Sequence, residues 1–180
     1  MAEFGDVDTE RVLERSVVLT LDDFRVGASG PTNVTSGTTP EAAGLRFDST
    51  NELLSVHVLM PRDWDRTANT TLHLNWVLNA VQLNGDVLDL TIDYIAGQEG
   101  GTGVGTLKTS TQLAASTTVT TANGLAINDL YSTEVAIPFG DATNPFASAT
   151  VFVFEFHLTN TTGVGSFVLL GGCLHYEALY

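Results

Sequence analysis

The chain has 180 residues, 21 acidic against 7 basic side chains, and a formal net charge of −14 at pH 7. This length is typical of one domain, and a single cysteine excludes an intrachain disulfide framework. The negative charge disfavours partners with phosphate backbones and anionic membrane surfaces. No apolar run reaches the roughly 18 residues of a membrane-spanning helix, and the first residues lack the pattern of a signal peptide.

Alternation of apolar and polar side chains with a period of two dominates the sequence and predicts β-strands. Residues 1–15 have too little apolar surface to fold alone, so we predict an N-terminal arm ahead of a single domain, residues 16–180. A segment rich in Gly, Ser, Thr and Pro, 27–44, and a glycine-rich segment, 97–105, predict long loops, and a short extended piece, 45–48, ends the first of them. We predict eight main strands, at residues 16–21, 53–60, 71–78, 87–94, 113–121, 131–139, 151–158 and 167–176.

Strands without helical crossovers predict an all-β protein, and the long loops favour an eight-stranded antiparallel jelly-roll sandwich over an immunoglobulin sandwich. In that fold the first, eighth, third and sixth strands share one sheet, and the second, seventh, fourth and fifth share the other. Cys173 is predicted to be a small buried residue of the last strand rather than a nucleophile. The alternation predicts an aromatic core made of Trp76, Tyr131, Phe139, Phe152, Phe154 and Phe156.

The stretch Pro-Arg-Asp-Trp-Asp, residues 61–65, places two carboxylates around a tryptophan. Two carboxyls about 5 to 10 Å apart can hydrolyse a glycoside, but nothing nearby distinguishes these two as acid and base. Pro61 ends a strand because it lacks a backbone donor, and aspartates cap turns through side-chain to backbone hydrogen bonds. We therefore predict a structural turn, capped by Asp63 and Asp65, with Trp64 folded over the rim of the core.

Each of the four histidines lies in a predicted strand, opposite its apolar set: His57, His73, His157 and His175. A simple hairpin would bring His57 and His73 together as the start of a metal site, whereas a jelly roll separates them. We predict scattered surface histidines, solvated Asp89 and Asp93, and no catalytic, cofactor-binding or metal-binding residue. The glycines of 97–105 lack the features of a phosphate-binding loop, and no Gly-x-Ser-x-Gly motif occurs. The chain is therefore predicted not to be an enzyme.

The succession of strands resembles a known class of protein. One strand ends in MPRDWD, a TLHLNWVL strand follows, and later strands read LDLTIDY, VAIPF, FVFEFHL and LLGGCLHYEAL. Over residues 16–176 this pattern resembles small jelly-roll virion structural proteins of tailed phages and archaeal viruses. That family usually continues an aromatic strand into an Arg-x-x-x-x-Asp stretch. Here FVFEFHLTNTTG has no arginine, so any contact made by that arginine is not carried over.

The resemblance implies a capsid-decoration, head-fibre or small capsid subunit on the outer surface of a virion, made in the host cytoplasm. Its partners would be copies of itself and the major capsid or other virion proteins. The acidic, lysine-poor composition fits a virion exterior and a halophilic host. We expect a closed homo-oligomer, with a trimer favoured and the arm reaching a neighbour. Apolar residues at outward strand positions predict the interface: Leu53, Leu59, Val77, Val87, Ile95, Val151 and Val153.

Other classes remain open at this stage. A lectin-like, carbohydrate-binding jelly roll used in host attachment would bind host glycans through exposed aromatics, and Trp64 is the strong candidate. A cupin-type enzyme would need a metal cluster, and the His-x-His spacing of that family is absent. A soluble monomer whose long loops cover the apolar positions is the alternative to the oligomer.

Overall fold

The computed structural model describes residues 13–36, 42–49, 52–78, 83–98, 106–107, 111–118, 129–138, 151–160 and 167–179. Within these ranges the regular structure is β-strand apart from one 3-10 turn, Leu21–Asp23, and no helix could cross a bilayer. The strands are β1 (Leu13–Leu19), β2 (Phe24–Val26), β3 (Thr32–Ser36), β4 (Ala42–Phe47), β5 (Leu53–Leu59), β6 (Thr70–Leu78), β7 (Val87–Gln98), β8 (Thr106–Leu107), β9 (Thr111–Thr118), β10 (Leu130–Ile137), β11 (Val151–Asn160) and β12 (Phe167–Ala178).

The strands form two antiparallel sheets that enclose one hydrophobic core. Sheet A has the order β10-β6-β12-β4-β3, and β1 also pairs with β12. Sheet B has the order β2-β5-β11-β7-β8, and β9 also pairs with β7. The orders β1-β12-β6-β10 and β5-β11-β7-β9 confirm the predicted jelly-roll sandwich and the predicted membership of both sheets.

The aromatic core lies where the alternation predicts it. Trp76 is fully buried, stacks on Tyr131 at 4.5 Å between ring centroids, and donates from Nε1 to Thr133 Oγ1 at 2.9 Å. Phe152, Phe154 and Phe156 follow one another along the inner face of β11 and are at most 2% exposed. The predicted core is confirmed for these residues. Phe139 lies outside the described residues.

Each of the eight predicted main strands overlaps a strand of the structure, namely β1, β5, β6, β7, β9, β10, β11 or β12, and the structure adds the short strands β2, β3, β4 and β8. The predicted loop 27–44 contains β3 and the start of β4, where Gly44 is a loop signal in the sequence. A Cβ at Gly44 would lie 2.8 Å from Leu169 O and 2.2 Å from Val168 Cγ1 on β12. This glycine therefore permits close packing of two strands.

The predicted arm is also too long. β1 begins at Leu13, and its first three residues pair with Ala178, Glu177 and Tyr176 of β12. The side chains of these first residues are exposed, so backbone pairing with β12 rather than apolar burial accounts for their strand conformation. Residues 1–12 lie outside the described residues.

Strand β12 changes the face that it turns to the core. Phe167 and Leu169 are buried before the change, and Leu174 and Tyr176 are buried after it. The register against β6 shifts between Leu169 and Gly171, and Gly171 has a φ of 135°. One extra residue in a β-bulge reverses the alternation, and glycine tolerates the positive φ.

The bulge corrects the prediction for Cys173. Because the alternation is reversed after Gly171, Cys173 and His175 lie on the outer face of sheet A. Cys173 is partly exposed rather than buried in the core.

Candidate functional site

The Asp-Trp-Asp stretch forms a structural turn, and its two carboxylates have different roles. Asp65 Oδ1 accepts from the Thr67 backbone N at 2.8 Å and from Thr67 Oγ1 at 2.6 Å, which is the predicted cap. Asp63 does not cap the turn. Its Oδ2 accepts from Arg15 Nη1 at 2.7 Å and so ties the turn to β1.

Trp64 lies inside the core rather than over its rim. Its side chain is 3% exposed and meets the Phe152 ring edge-on at 5.7 Å between centroids. Hydrogen bonds from Asp65 N to Glu177 O and from Leu179 N to Asp63 O hold the turn against the end of β12. Trp64 is therefore not available to stack on a ligand. In the described part of the chain, the exposed large hydrophobic side chains are all aliphatic: Leu13, Val18, Val26, Leu59, Leu83, Leu130 and Leu179.

The outer face of sheet A carries a thiol–histidine cluster, made of His73, Cys173 and His175. His73 and Cys173 are register partners on β6 and β12, and the two imidazole rings lie 4.2 Å apart, edge to face. Cys173 Sγ is 3.1 Å from His175 Nε2. On their other sides, His175 Nδ1 is 3.5 Å from Glu14 Oε1 and His73 Nδ1 is 3.4 Å from Glu134 Oε1.

A thiol, an imidazole and a carboxylate in this order resemble the parts of an activated nucleophile. However, burial raises the pKa of the Cys173 thiol, which favours the unreactive protonated form. Glu14 is 77% exposed, so it can do little to orient the imidazole of His175. In this hydrogen-bonded surface cluster, burial therefore works against an activated thiolate.

Two open clefts border the thiol–histidine cluster. One of about 540 Å³ lies beside the bulge and is lined in part by Val18, Asp22, Asn75 and Gly171. The other, of about 350 Å³, is lined by Glu14, Asn69, Thr71, His175, Tyr176 and Glu177. This face therefore offers two recesses, a larger one with a mixed lining of apolar and polar residues and a smaller one lined mainly by polar residues.

The outer face of sheet B carries an acid–histidine cluster, made of Asp93, Glu155 and His157. Glu155 and Asp93 are register partners on β11 and β7, and His157 follows two residues later on the same face of β11. His157 Nε2 is 2.9 Å from Glu155 Oε1 and 3.4 Å from Asp93 Oδ2. The three side chains are 28% to 42% exposed, so Asp93 is not the freely solvated residue that the sequence predicts.

The neighbouring part of the same face is an apolar patch, made of Leu59, Ile95, Val151 and Val153. Leu59 is opposite Val151, and Ile95 is opposite Val153, on three adjacent strands. Leu59 is 77% exposed, and the other three are partly buried. The patch thus groups four of the seven outward apolar positions predicted from the sequence.

The remaining predicted interface positions are distributed differently. Leu53 and Val87 are partly buried, which is compatible with the outward positions predicted for them. The expected exposure is wrong for Val77, which is only 6% exposed. Val77 lies on the outer side of sheet A beside its buried register partner Val168. His57 and His73 lie in different sheets, as the jelly roll requires.

No protein-family model matches the sequence, and no curated protein matches it. Among solved structures, the fold is similar to CBM22 and GH10 modules of a Clostridium thermocellum xylanase complexed with xylohexaose (10% identity, 93% of this chain, TM-score 0.48). It is also similar to a CBM22 tandem from Paenibacillus barcinonensis (11%, 98% of this chain, TM-score 0.49). A third structure, a CBM28 module specific for non-crystalline cellulose, shares 14% identity over 84% of this chain and 86% of that module, with a TM-score of 0.45.

The first two structures contain more than one module, and this chain spans only 28% and 52% of their lengths. All three TM-scores lie below 0.5. Likenesses of this degree carry no argument about what this chain binds.

Proposed function

We propose that the protein is a non-catalytic structural subunit of a virion, placed on the outer capsid surface and acting by protein–protein contact. The observation that carries this proposal is the apolar patch on the outer face of sheet B. Contiguous apolar side chains on an outer face usually mark an interface, and here Leu59 is exposed while the other three are partly exposed. Here they lie on three paired strands of a sheet, a rigid support for a contact surface.

The fold and the charge are compatible with this role. Jelly rolls occur in viral capsid proteins and in lectin domains, so the residues on the surface, and not the fold, distinguish these two functions. A net charge of −14 suits an exterior that avoids packaged nucleic acid. The same charge opposes self-association at low ionic strength, and salt screens that repulsion.

We expect the purified chain to form a closed homo-oligomer at high salt, with a trimer favoured over other orders. Light scattering after size exclusion checks the mass against the 19.1 kDa of one chain. Leu59→Ser removes the most exposed side chain of the patch and should shift the equilibrium toward monomer. Leu83→Ser is the matched control, because Leu83 is 75% exposed but lies outside the strands.

Two results would contradict the structural role. One is a monomeric mass at every protein and salt concentration. The other is the absence of the chain from purified virus particles by mass spectrometry. Equal behaviour of the Leu59 and Leu83 variants would remove the apolar patch as the contact surface.

The second candidate function is carbohydrate binding during host attachment. Polar side chains in the two clefts on the outer face of sheet A favour it, because asparagine, threonine and carboxylate groups can hydrogen-bond to sugar hydroxyls. The described residues offer no exposed aromatic ring for stacking, so hydrogen bonds would have to provide the affinity.

A glycan array followed by calorimetry tests this second function. We expect saturable binding to at least one oligosaccharide, weakened by Asn75→Ala, which alters the larger cleft. Asn33→Ala on β3 is the control and should bind as the unaltered chain does, since Asn33 does not line that cleft. An array without any binding, or equal loss in both variants, would contradict carbohydrate recognition at this face.

A further inference from the structure

We propose that the acid–histidine cluster on the outer face of sheet B binds a first-row divalent metal ion, with Zn²⁺ as the best match. The ligand atoms would be one carboxylate oxygen from Asp93, one from Glu155, and Nε2 of His157. Among the residues that the structure describes, this is the one set of three such groups whose ligand atoms all lie within 4.8 Å of one another. The inference does not depend on the function proposed above.

The spacing of the ligand atoms fits a single ion. Zinc lies about 2.0 to 2.2 Å from nitrogen and oxygen ligands. Two ligand atoms at about 2.1 Å from one ion are then about 3.0 Å apart at a right angle and about 3.4 Å apart at the tetrahedral angle. Nε2 of His157 lies 2.9 Å from Glu155 Oε1 and 3.4 Å from Asp93 Oδ2, so both nitrogen–oxygen distances match two ligands of one ion, and the two carboxylates offer oxygens within 4.8 Å of each other.

The backbone fixes this arrangement before any ion binds. Asp93 lies on β7 and Glu155 on β11 as register partners, and His157 lies two residues along β11. Side chains two residues apart on a strand point to the same face. The strands lie inside sheet B, with β5 on one side of β11 and β9 paired to β7. Ligands on paired strands cost less ordering entropy on binding than ligands on loops.

The donor set selects the class of ion. Imidazole nitrogen suits Zn²⁺, Cu²⁺, Fe²⁺ and Ni²⁺, whereas oxygen-only sites suit Mg²⁺ and Ca²⁺. Two carboxylates with one imidazole therefore favour a first-row ion over an alkaline-earth ion. The net charge of −14 raises the local concentration of any cation. Three protein ligands leave at least one position open for water or for a donor from a partner.

A protonated imidazole between two carboxylates would produce similar distances without any metal. The experiment therefore has to separate ion binding from a simple ion pair. It must also separate this cluster from the thiol–histidine cluster of sheet A, since thiolate and imidazole are also zinc ligands. Variants on both faces serve this purpose.

The test is calorimetric titration of the chelator-treated full chain with zinc chloride at neutral pH and high salt. We expect one ion per chain, with the affinity reduced at least about tenfold in Asp93→Asn, Glu155→Gln and His157→Gln, because even outer partners of ligands have effects of that size. His57→Gln, on the same face but outside the cluster, and Cys173→Ala, on the opposite face, should bind zinc as the unaltered chain does. Zinc should also raise the thermal midpoint of the unaltered chain and of both controls, and should do so less in the three cluster variants.

Circular dichroism shows whether each variant is folded, and the two amide variants keep the shape of the acids that they replace. The proposal is overturned if no saturable binding near one ion per chain occurs. It is equally overturned if the folded cluster variants retain full affinity, or if Cys173→Ala abolishes the binding. Stoichiometry well above one with no effect of any cluster variant would show diffuse attraction to the acidic surface instead.

Discussion

Replacing Phe154 with alanine is expected to lower the free energy of unfolding by about 3 to 5 kcal/mol. Phe154 has no exposed surface, and its ring lies 5.8 Å from Phe152, 6.5 Å from Phe156 and 6.3 Å from Tyr94. Strand β11 has a paired strand on each side, so neighbouring side chains cannot easily move into the cavity. Urea denaturation monitored by tryptophan fluorescence measures the change.

The control for Phe154 is its neighbour Val153, which points to the other face of β11 and is partly exposed. Val153→Ala should lower the free energy of unfolding by about 1 kcal/mol. If Val153→Ala were the more damaging change, β11 would present the opposite face to the core, and the assigned register would be one residue out.

Gly172→Ala is expected to be the second strongly destabilising change, at about 3 kcal/mol or more. A Cβ at Gly172 would lie 2.2 Å from the backbone oxygen of His73 on β6. Only a shift of one strand could relieve that overlap, and overpacking of this kind typically costs about 1 to 3 kcal/mol and occasionally more. The same denaturation measurement gives the value.

Gly27→Ala is the matched control, because its Cβ would meet its nearest neighbours in Leu53 at 3.4 Å, an acceptable contact. It should change the free energy of unfolding by less than about 1 kcal/mol. Equal stability of the Gly172 and Gly27 variants would mean that β6 and β12 are farther apart than the structure shows.

Much of the sandwich could be predicted because the long strands whose burial the structure describes turn one face to the core. In β10 the burial alternates along the whole strand, with Tyr131, Thr133, Val135 and Ile137 inside. Alternation alone failed at glycines, which carry no side chain to reveal a face. The sequence predicts a loop at Gly44, although this residue lies in a strand that approaches β12 closely.

The candidate sites could be predicted only in part. The sequence shows that His157 and Asp93 lie on outward faces, but not which residues of two distant strands stand opposite each other. The register of β11 against β7 places Glu155 opposite Asp93 and completes the acid–histidine cluster. The contact of His73 with His175 is easier to predict, because the predicted sheet already places their strands side by side. The sequence also places both histidines opposite their apolar sets, but it does not predict the bulge at Gly171, after which Cys173 lies on that face beside them.

The position of β12 has a consequence for the order in which the fold can form during synthesis. β6 runs along one edge of β12, and β4 and β1 follow one another along the other. Of the strands that the structure describes, β12 is also the last in chain order, so it leaves the ribosome after the others. Until it emerges, β1 and β6 lack the strand that joins them, and sheet A exists only as separate fragments. Nascent chains should therefore stay partly folded, and accessible to chaperones and proteases, until β12 is synthesised and pairs with β1, β4 and β6.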